Sequence, residues 1–372
     1  MKIIILVQFP VKTGGMMQSL WSLVNGLSAY EDIEISLVLP RNADFCDVPF
    51  KGKVVTYYTS KTNWTISKNN IIATLKLARE IYKLIGHLLP EAFILSNDVG
   101  GSILISLMPT LKRIQEVYVC RGGNFHGEGL GGWFMRKKIR FGNLDHVVVT
   151  SSHLKENINK ITNKVKDIQI IHNGLVLPKH DYNFIKLSRK SLKLSSIGYI
   201  SDGKNHKLGV NVVSSLRNKG INAVLQIWGE VGSESDSLYY KELKNHISDL
   251  QMNDYVKFMG FVKGEKIFEE TDLLILFSKS EGFGRTLVEG MLRKKPVIAW
   301  RGAGGPVEIT NDGEFCYLVD RNECDDYCKV IEYMICNPNL LSNNVERSYN
   351  HALMNFTENS MIEKYVSYFK AI

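Results

Sequence analysis

The chain has 372 residues, 44% of them hydrophobic, which is material for two cored domains rather than one. Its aromatic (10%) and charged (23%) fractions are ordinary for a folded protein, and no run approaches the roughly 20 apolar residues of a membrane span. The net charge of +8 is lopsided: 25 Lys and Arg face 14 Asp and Glu up to position 190, and 21 face 24 beyond it. A positive first half attracts lipid headgroups, nucleic acid or phosphorylated substrates, or simply confers solubility. The apolar start "MKIIILVQF" is too short for a signal-peptide core and has no small-residue cleavage site after it. The six cysteines are scattered; Cys324 and Cys328 form C-x3-C without a partner pair at zinc spacing, so they read as structural or incidental. A reducing cytoplasm fits.

In chain order, apolar runs predict strands at 3–9, 33–39, 92–97, 116–120, 146–151 and 168–173. Such continuous runs suit strands covered on both faces. A helix is predicted over 69–89, with Ile71, Leu75, Ala78, Ile81, Ile85 and Leu88 at helical spacing. Alternating strands and helices imply a parallel, doubly wound sheet. The polar, basic stretch 178–190 reads as a linker. The alternation then restarts, with strands at 192–200, 223–229, 255–261, 272–278, 296–300 and 315–319. The predicted organisation is an N-terminal Rossmann-like domain over 1–177 and a second over 191–356, facing a central cleft. The terminal helix 357–372, with Thr357 a plausible N-cap, is expected to pack back on the first domain.

Several strand ends carry glycine turns that let backbone approach a phosphate. Gly14-Gly15 follow the first strand and precede a helix. They match neither a dinucleotide fingerprint nor a P-loop, and a plain tight turn is the alternative. Lys204 and Lys207 sit in the loop after the strand at 192–200. A lysine there can neutralise a phosphate leaving group, although a solvated loop lysine is the bland reading. Gly304-Gly305 and Glu308 form another such turn. "SEGFGRTLVEGM" (280–291) places Glu281 and Glu289 eight residues apart. In one continuous helix they would lie about 12 Å apart along the axis, beyond the roughly 5 Å of a retaining glycosidase pair. The glycines favour a loop carrying Glu281 and a helix starting near Thr286, with Glu289 in its first turn. Two acids so placed can grip the two ends of one extended ligand.

The segment 277–309 resembles the signature of glycosyltransferase family 4, retaining GT-B enzymes that use nucleotide-sugar donors. Looser matches are Gly14-Gly15, "IIHNG" (170–174), the Gly198 to Lys204 loop, "VKFMGFV" (256–262) and "TDLLILFS" (271–278). The resemblance implies a GT-B fold and a role for each matching residue. Glu281 would hydrogen-bond the donor sugar, the backbone of Phe283 and Gly284 would meet the diphosphate, and Glu289 would bind the ribose. Lys204 would stabilise the leaving diphosphate, Gly15 would approach it from the first domain, and backbone at Phe261 would border the base. No metal is expected, since no compact Asp-x-Asp site is present. The donor would be linked to UDP or GDP.

Two departures from the family pattern stand out. An arginine usual just after the glycine of the second domain's first strand is Tyr199 here; Arg285 or Lys207 would supply the missing charge. A histidine usual after the strand at 116–120 is Arg121, with His126 five residues on in a Gly-rich loop. Either His126 reaches the donor sugar, or Arg121 takes over on the acceptor side.

The segment 131–142 mixes basic residues with Trp133, Phe134, Met135, Ile139 and Phe141. It suits an anionic membrane surface or an ordinary helix packed on the sheet. The expected activity is sugar transfer to a glycan or polyprenyl-linked acceptor of cell-surface polysaccharide, in a cytoplasmic protein peripheral to the inner face of the plasma membrane. The alternatives are a nucleotide-sugar epimerase of the same architecture and an inactive nucleotide- or glycan-binding subunit. No nucleic-acid-binding pattern is present.

Overall fold

The computed structural model describes residues 1–7, 15–39, 55–59, 76, 78–83, 92–96, 115–121, 137, 146–161, 165, 167–232, 234–262 and 264–372. Gly14, His126 and, apart from Lys137, the segment 131–142 lie outside them. The chain divides into two compact units, Met1–Val176 with Thr357–Ile372, and Leu177–Phe356.

The first unit holds β1 (Lys2–Leu6), α1 (Gly15–Leu27), β2 (Glu34–Leu39), β3 (Val55–Thr59), β4 (Ala92–Ser96), β5 (Glu116–Cys120), β6 (His146–Val149), α2 (Ser152–Asn159) and β7 (Asp167–Ile170). Among the described residues its seven strands run parallel in the order β3-β2-β1-β4-β5-β6-β7. The strand β3 was not anticipated. It lies at the sheet edge, and "VTYYT" has no long apolar run to mark it. Central β1 shows the opposite texture, with Ile3, Ile4, Ile5 and Leu6 all buried, as a parallel strand covered on both faces requires. Within the helix expected at 69–89, residues 76 and 78–83 are helical, with Ala78 and Ile81 buried.

The C-terminal helix packs on α1. Leu20, Leu23, Val24 and Leu27 share a core with Met361, Ile362, Tyr365 and Phe369. Gly26 makes the close approach possible, because a Cβ there would lie 1.8 Å from Ile362 Cδ1. Thr357 caps that helix, its hydroxyl accepting from the Ser360 amide at 3.3 Å.

The second unit runs β8 (Leu192–Ile197), α3 (His206–Asn218), β9 (Ala223–Trp228), α4 (Glu234–Asp249), β10 (Val256–Gly260), α5 (Lys266–Glu269), β11 (Leu273–Leu276), α6 (Arg285–Met291), β12 (Val297–Trp300), α7 (Gly305–Ile309), β13 (Tyr317–Val319), α8 (Cys324–Cys336) and α9 (Pro338–Asn355), and α10 (Glu358–Ala371) is the terminal helix of the first unit. The six strands are parallel, in the order β10-β9-β8-β11-β12-β13. Both sheets therefore start in the middle, wind one way, then reverse. Residues 178–190 are irregular and lie on the second unit, with Leu187 in its core.

Candidate functional site

In a doubly wound sheet, ligands bind outside the carboxyl ends of the strands where the winding reverses. In the second unit that place is between β8 and β11. The loop after β8 runs through Gly198 and Tyr199 into a single 3-10 turn, Asp202–Lys204. Asn205 in the left-handed region (φ 54°) then starts α3. The loop after β11 runs from Phe277 to Gly284 and leads into α6.

The two loops are stitched together. The Lys279 amide donates to the Gly203 carbonyl at 2.9 Å, and Lys279 Nζ bonds both carboxylate oxygens of Asp202 at 2.7 Å. Between them Lys204 Nζ lies 2.6 Å from Glu281 Oε1, with side chains only 28% and 14% exposed. The two residues are 77 positions apart and meet only because β8 and β11 are neighbours.

A third loop fixes Glu281. Its amide donates to the Ala303 carbonyl at 2.7 Å, and its carbonyl accepts from the Gly305 amide at 2.9 Å. Gly305 has to lack a side chain, since a Cβ there would lie 2.4 Å from the Phe283 carbonyl oxygen. Gly284 (φ 97°) ends the loop, and Arg285 takes the first helical position of α6. This corrects the expectation for Glu289: it lies one turn into the helix rather than in the first turn.

The remaining residues singled out in the sequence fall as follows. Arg285 Nε donates to Glu289 Oε1 at 3.0 Å, so these two form an ion pair. Lys207 pairs with Glu242 of α4 at 2.7 Å, and its amide donates to the Tyr239 hydroxyl. Phe283 is buried against Phe356. Phe261, after Gly260, and Tyr199 are both exposed. Gly15, at the start of α1, and Arg121, at the end of β5, belong to the first unit. There Arg121 donates to Asn173 Oδ1 at 2.5 Å.

Sequence reading missed His206. It is fully buried beneath the β8 loop, Nε2 3.2 Å from the Tyr199 carbonyl and Nδ1 3.2 Å from Ser196 Oγ. Burial pulls its pKa down to about 4, so it is neutral, donating from Nε2 and accepting the Ser196 hydroxyl at Nδ1. One signal was present: His206, Gly209, Val210 and Val213 occupy the inward register of α3. Reading also missed a second ion-pair cluster. Arg293 grips both oxygens of Glu265 at 2.8 and 3.0 Å, Tyr182 donates to the same carboxylate at 2.5 Å, and the guanidinium lies 4.4 Å over the Phe268 ring. Burial, then the carboxylate beside it, pushes the Tyr182 hydroxyl up to about 12, and the Arg293 hydrogen bonds hold Glu265 down.

Among the described residues, no group of three or more His, Cys, Asp or Glu side chains could hold a metal, and no helix is long and apolar enough to cross a membrane.

Residues 181–351 match the family model described as glycosyl transferases group 1. Over 220 residues the chain is 26% identical to poly(ribitol-phosphate) alpha-N-acetylglucosaminyltransferase of Staphylococcus aureus (strain COL), covering 58% of this chain and only 40% of that protein's length. Over 265 residues it is 23% identical to the lipopolysaccharide core biosynthesis glycosyltransferase LpsE of Rhizobium meliloti (strain 1021), covering 70% and 74%. Among solved structures, Anabaena Alr3699/HepE in complex with UDP and glucose matches with a TM-score of 0.76, at 18% identity and full coverage of both chains.

Proposed function

We propose that the chain, whose residues 181–351 match the glycosyl transferases group 1 model and whose fold is GT-B, moves a sugar from a nucleoside-diphosphate donor to a glycan or lipid-linked acceptor, with retention at the anomeric carbon. The observation that carries this reading is the Lys204–Glu281 pair at the β8/β11 reversal. Breaking a sugar–phosphate bond builds negative charge on the diphosphate and positive charge on the sugar. Lys204 answers the first, and a fixed cation stabilises the transition state without reorganising. Glu281 accepts hydrogen bonds from sugar hydroxyls beside the reacting carbon. Its position is set by backbone bonds to Ala303 and Gly305 rather than by its own side chain.

The backbone of Phe283 and Gly284 meets the diphosphate. Glu289, oriented by Arg285, takes the ribose hydroxyls, and backbone at Phe261 borders the base. Retention follows when the acceptor attacks on the face the diphosphate leaves and a phosphate oxygen takes the acceptor proton. UDP donors are the first to try, because the matched cyanobacterial structure holds UDP. The staphylococcal and rhizobial relatives point to a cell-surface polymer as acceptor. A site on the inner face of the membrane and a first unit that holds the acceptor complete the reading.

A thermal-shift panel of UDP, GDP and their sugars tests it. A ligand at 100 times its dissociation constant should add about 2.7 kcal/mol. Product analysis with donor alone separates transfer from epimerisation. No stabilisation by any nucleoside diphosphate would remove the reading.

A further inference from the structure

Outside the candidate site, α8 presents a pair of thiols. Cys324 and Cys328 are its first and fifth residues, so they share one helix face, and their sulfurs are 3.9 Å apart. Cys328 is buried, its thiol 3.8 Å from the Val212 carbonyl of α3; Cys324 is half-buried. The Ser215 hydroxyl hydrogen-bonds the pair. The two sulfurs share one S–H···S contact in which either thiol can donate, and the nearby charge of Lys219 favours the Cys328 thiolate.

We propose that Cys324 and Cys328 form a thiol–disulfide exchange site that low-molecular-weight disulfides close. The Cys324 sulfur, the reachable one, attacks one sulfur of the small disulfide while its proton passes to Cys328. The small disulfide's S–S bond breaks, and its leaving half takes a proton from solvent to become a free thiol. Cys328 then gives its proton to solvent and attacks the Cys324 sulfur, and the second half leaves as a thiolate that takes a proton from solvent to become a free thiol. The two protein thiols are oxidised by two electrons, and the small disulfide is reduced to two thiols.

Closure needs the helix to give, because Cβ atoms four residues apart on a helix are about 5–6 Å apart and a disulfide wants roughly 3.5–4.5 Å. The pair sits where giving is easiest. Cys324 is the first helical residue, its N-cap Glu323 makes no side-chain cap bond, and the Tyr327 amide reaches the Glu323 carbonyl only at 3.5 Å. The same turn is tied to the candidate site. Asn322 Nδ2 donates to the Phe277 carbonyl at 3.2 Å, and the Tyr327 hydroxyl to the Leu276 carbonyl at 3.3 Å, at the root of the loop that carries Glu281. Closing the dithiol therefore loosens that loop. The closure itself does not depend on the transferase reading.

The full chain, reduced and then exposed to oxidised glutathione while folded, gives the test. Trypsin releases residues 322–329 as one peptide holding both thiols and no other cysteine. The wild-type peptide should lose two hydrogens, reversibly with dithiothreitol. Cys328→Ser should stop at the glutathione adduct on Cys324, and Cys324→Ser should give neither product. Exposed Cys336 reports that the oxidant is active. Deuterium uptake over 277–284 should rise severalfold on closure and fall again on reduction. Wild-type protein that keeps both thiols, or carries an adduct on Cys324 without closing, while Cys336 reacts, overturns the exchange site. A closed peptide with unchanged uptake overturns its link to the loop.

Discussion

Two of the ion-pair clusters in the second unit have similar makeup and different placement. In one, Arg293 holds Glu265 through two hydrogen bonds, under Tyr182 and over Phe268, with side chains 10% and 20% exposed. Every partner there is spoken for, and Tyr182 brings residues 178–190 onto the unit. In the other, Lys204 meets Glu281 through a single contact at the carboxyl edge of the sheet. Both groups are set by backbone bonds, so the contact can open without moving the chain. The difference separates a clamp from a site. A planar guanidinium engaged twice and stacked on a ring is a poor ligand binder, whereas a lysine held by one carboxylate can exchange that carboxylate for a phosphate.

Replacing Glu281 tests the site and should give the largest effect. Glu281→Gln should lower transfer about 10²–10³-fold, the range seen when one stabilising group of a reacting centre is lost. Thermal stability should change by no more than about 1 kcal/mol, because the pair is monodentate and partly solvated. The same variant removes the anion that competes for Lys204, so calorimetry should show nucleoside diphosphate binding unweakened or tighter. Unchanged turnover would end the assignment of Glu281.

The clamp should respond in the opposite way. Arg293→Met should cost about 2 kcal/mol in chemical denaturation, since it removes two charge-assisted hydrogen bonds to Glu265 and the stacking on Phe268. Nucleotide affinity of the remaining folded protein should stay within a few-fold. A variant that stays as stable as wild type but loses nucleotide binding would reverse the roles drawn for the two clusters.

How much of this contrast the sequence could show depends on distance along the chain. Strands such as Ile3–Leu6 and Leu273–Leu276 are legible because parallel strands covered on both faces leave unbroken apolar runs. Edge strand β3 is not, because only one side of its ladder is paired and its residues are mixed. Glu281 and Lys204 are each visible in their local glycine loops. Their contact is not, because it depends on sheet order and not on spacing. Tyr182 and Leu187 look like stray apolar residues in a polar stretch until Glu265 and the core of the unit supply their partners. Position Glu289 fails by a smaller margin: Gly284 at positive φ lets the helix begin at Arg285, which moves the acid out of the first turn.

His206 sharpens the comparison from below the site. Its folded pKa of about 4 lies under the ordinary 6.5, so the folded protein binds fewer protons than the unfolded chain between these values. Its contribution is complete above about pH 6.5 and lost as the pH falls toward 4, on the order of 2–3 kcal/mol. Denaturation midpoints measured across that window should fall in wild type. His206→Gln should be less stable at pH 7 and flatter below it. Equal slopes in the two proteins would remove His206 as the buried support of the Lys204 loop.

The smallest effect is expected at Lys207, which the sequence offered alongside Lys204 as a diphosphate cation. Its ammonium is turned to Glu242 on α4, and both side chains are more than a third exposed. An ion pair in that setting contributes below about 0.5 kcal/mol. Lys207→Gln should leave the melting temperature within about 2 °C and the nucleoside diphosphate affinity within about a factor of three of wild type, whereas Lys204→Gln should weaken that affinity by about tenfold or more. A tenfold loss at Lys207 with none at Lys204 would mean that the diphosphate lies toward α4, and that the Lys204–Glu281 pair is a second clamp.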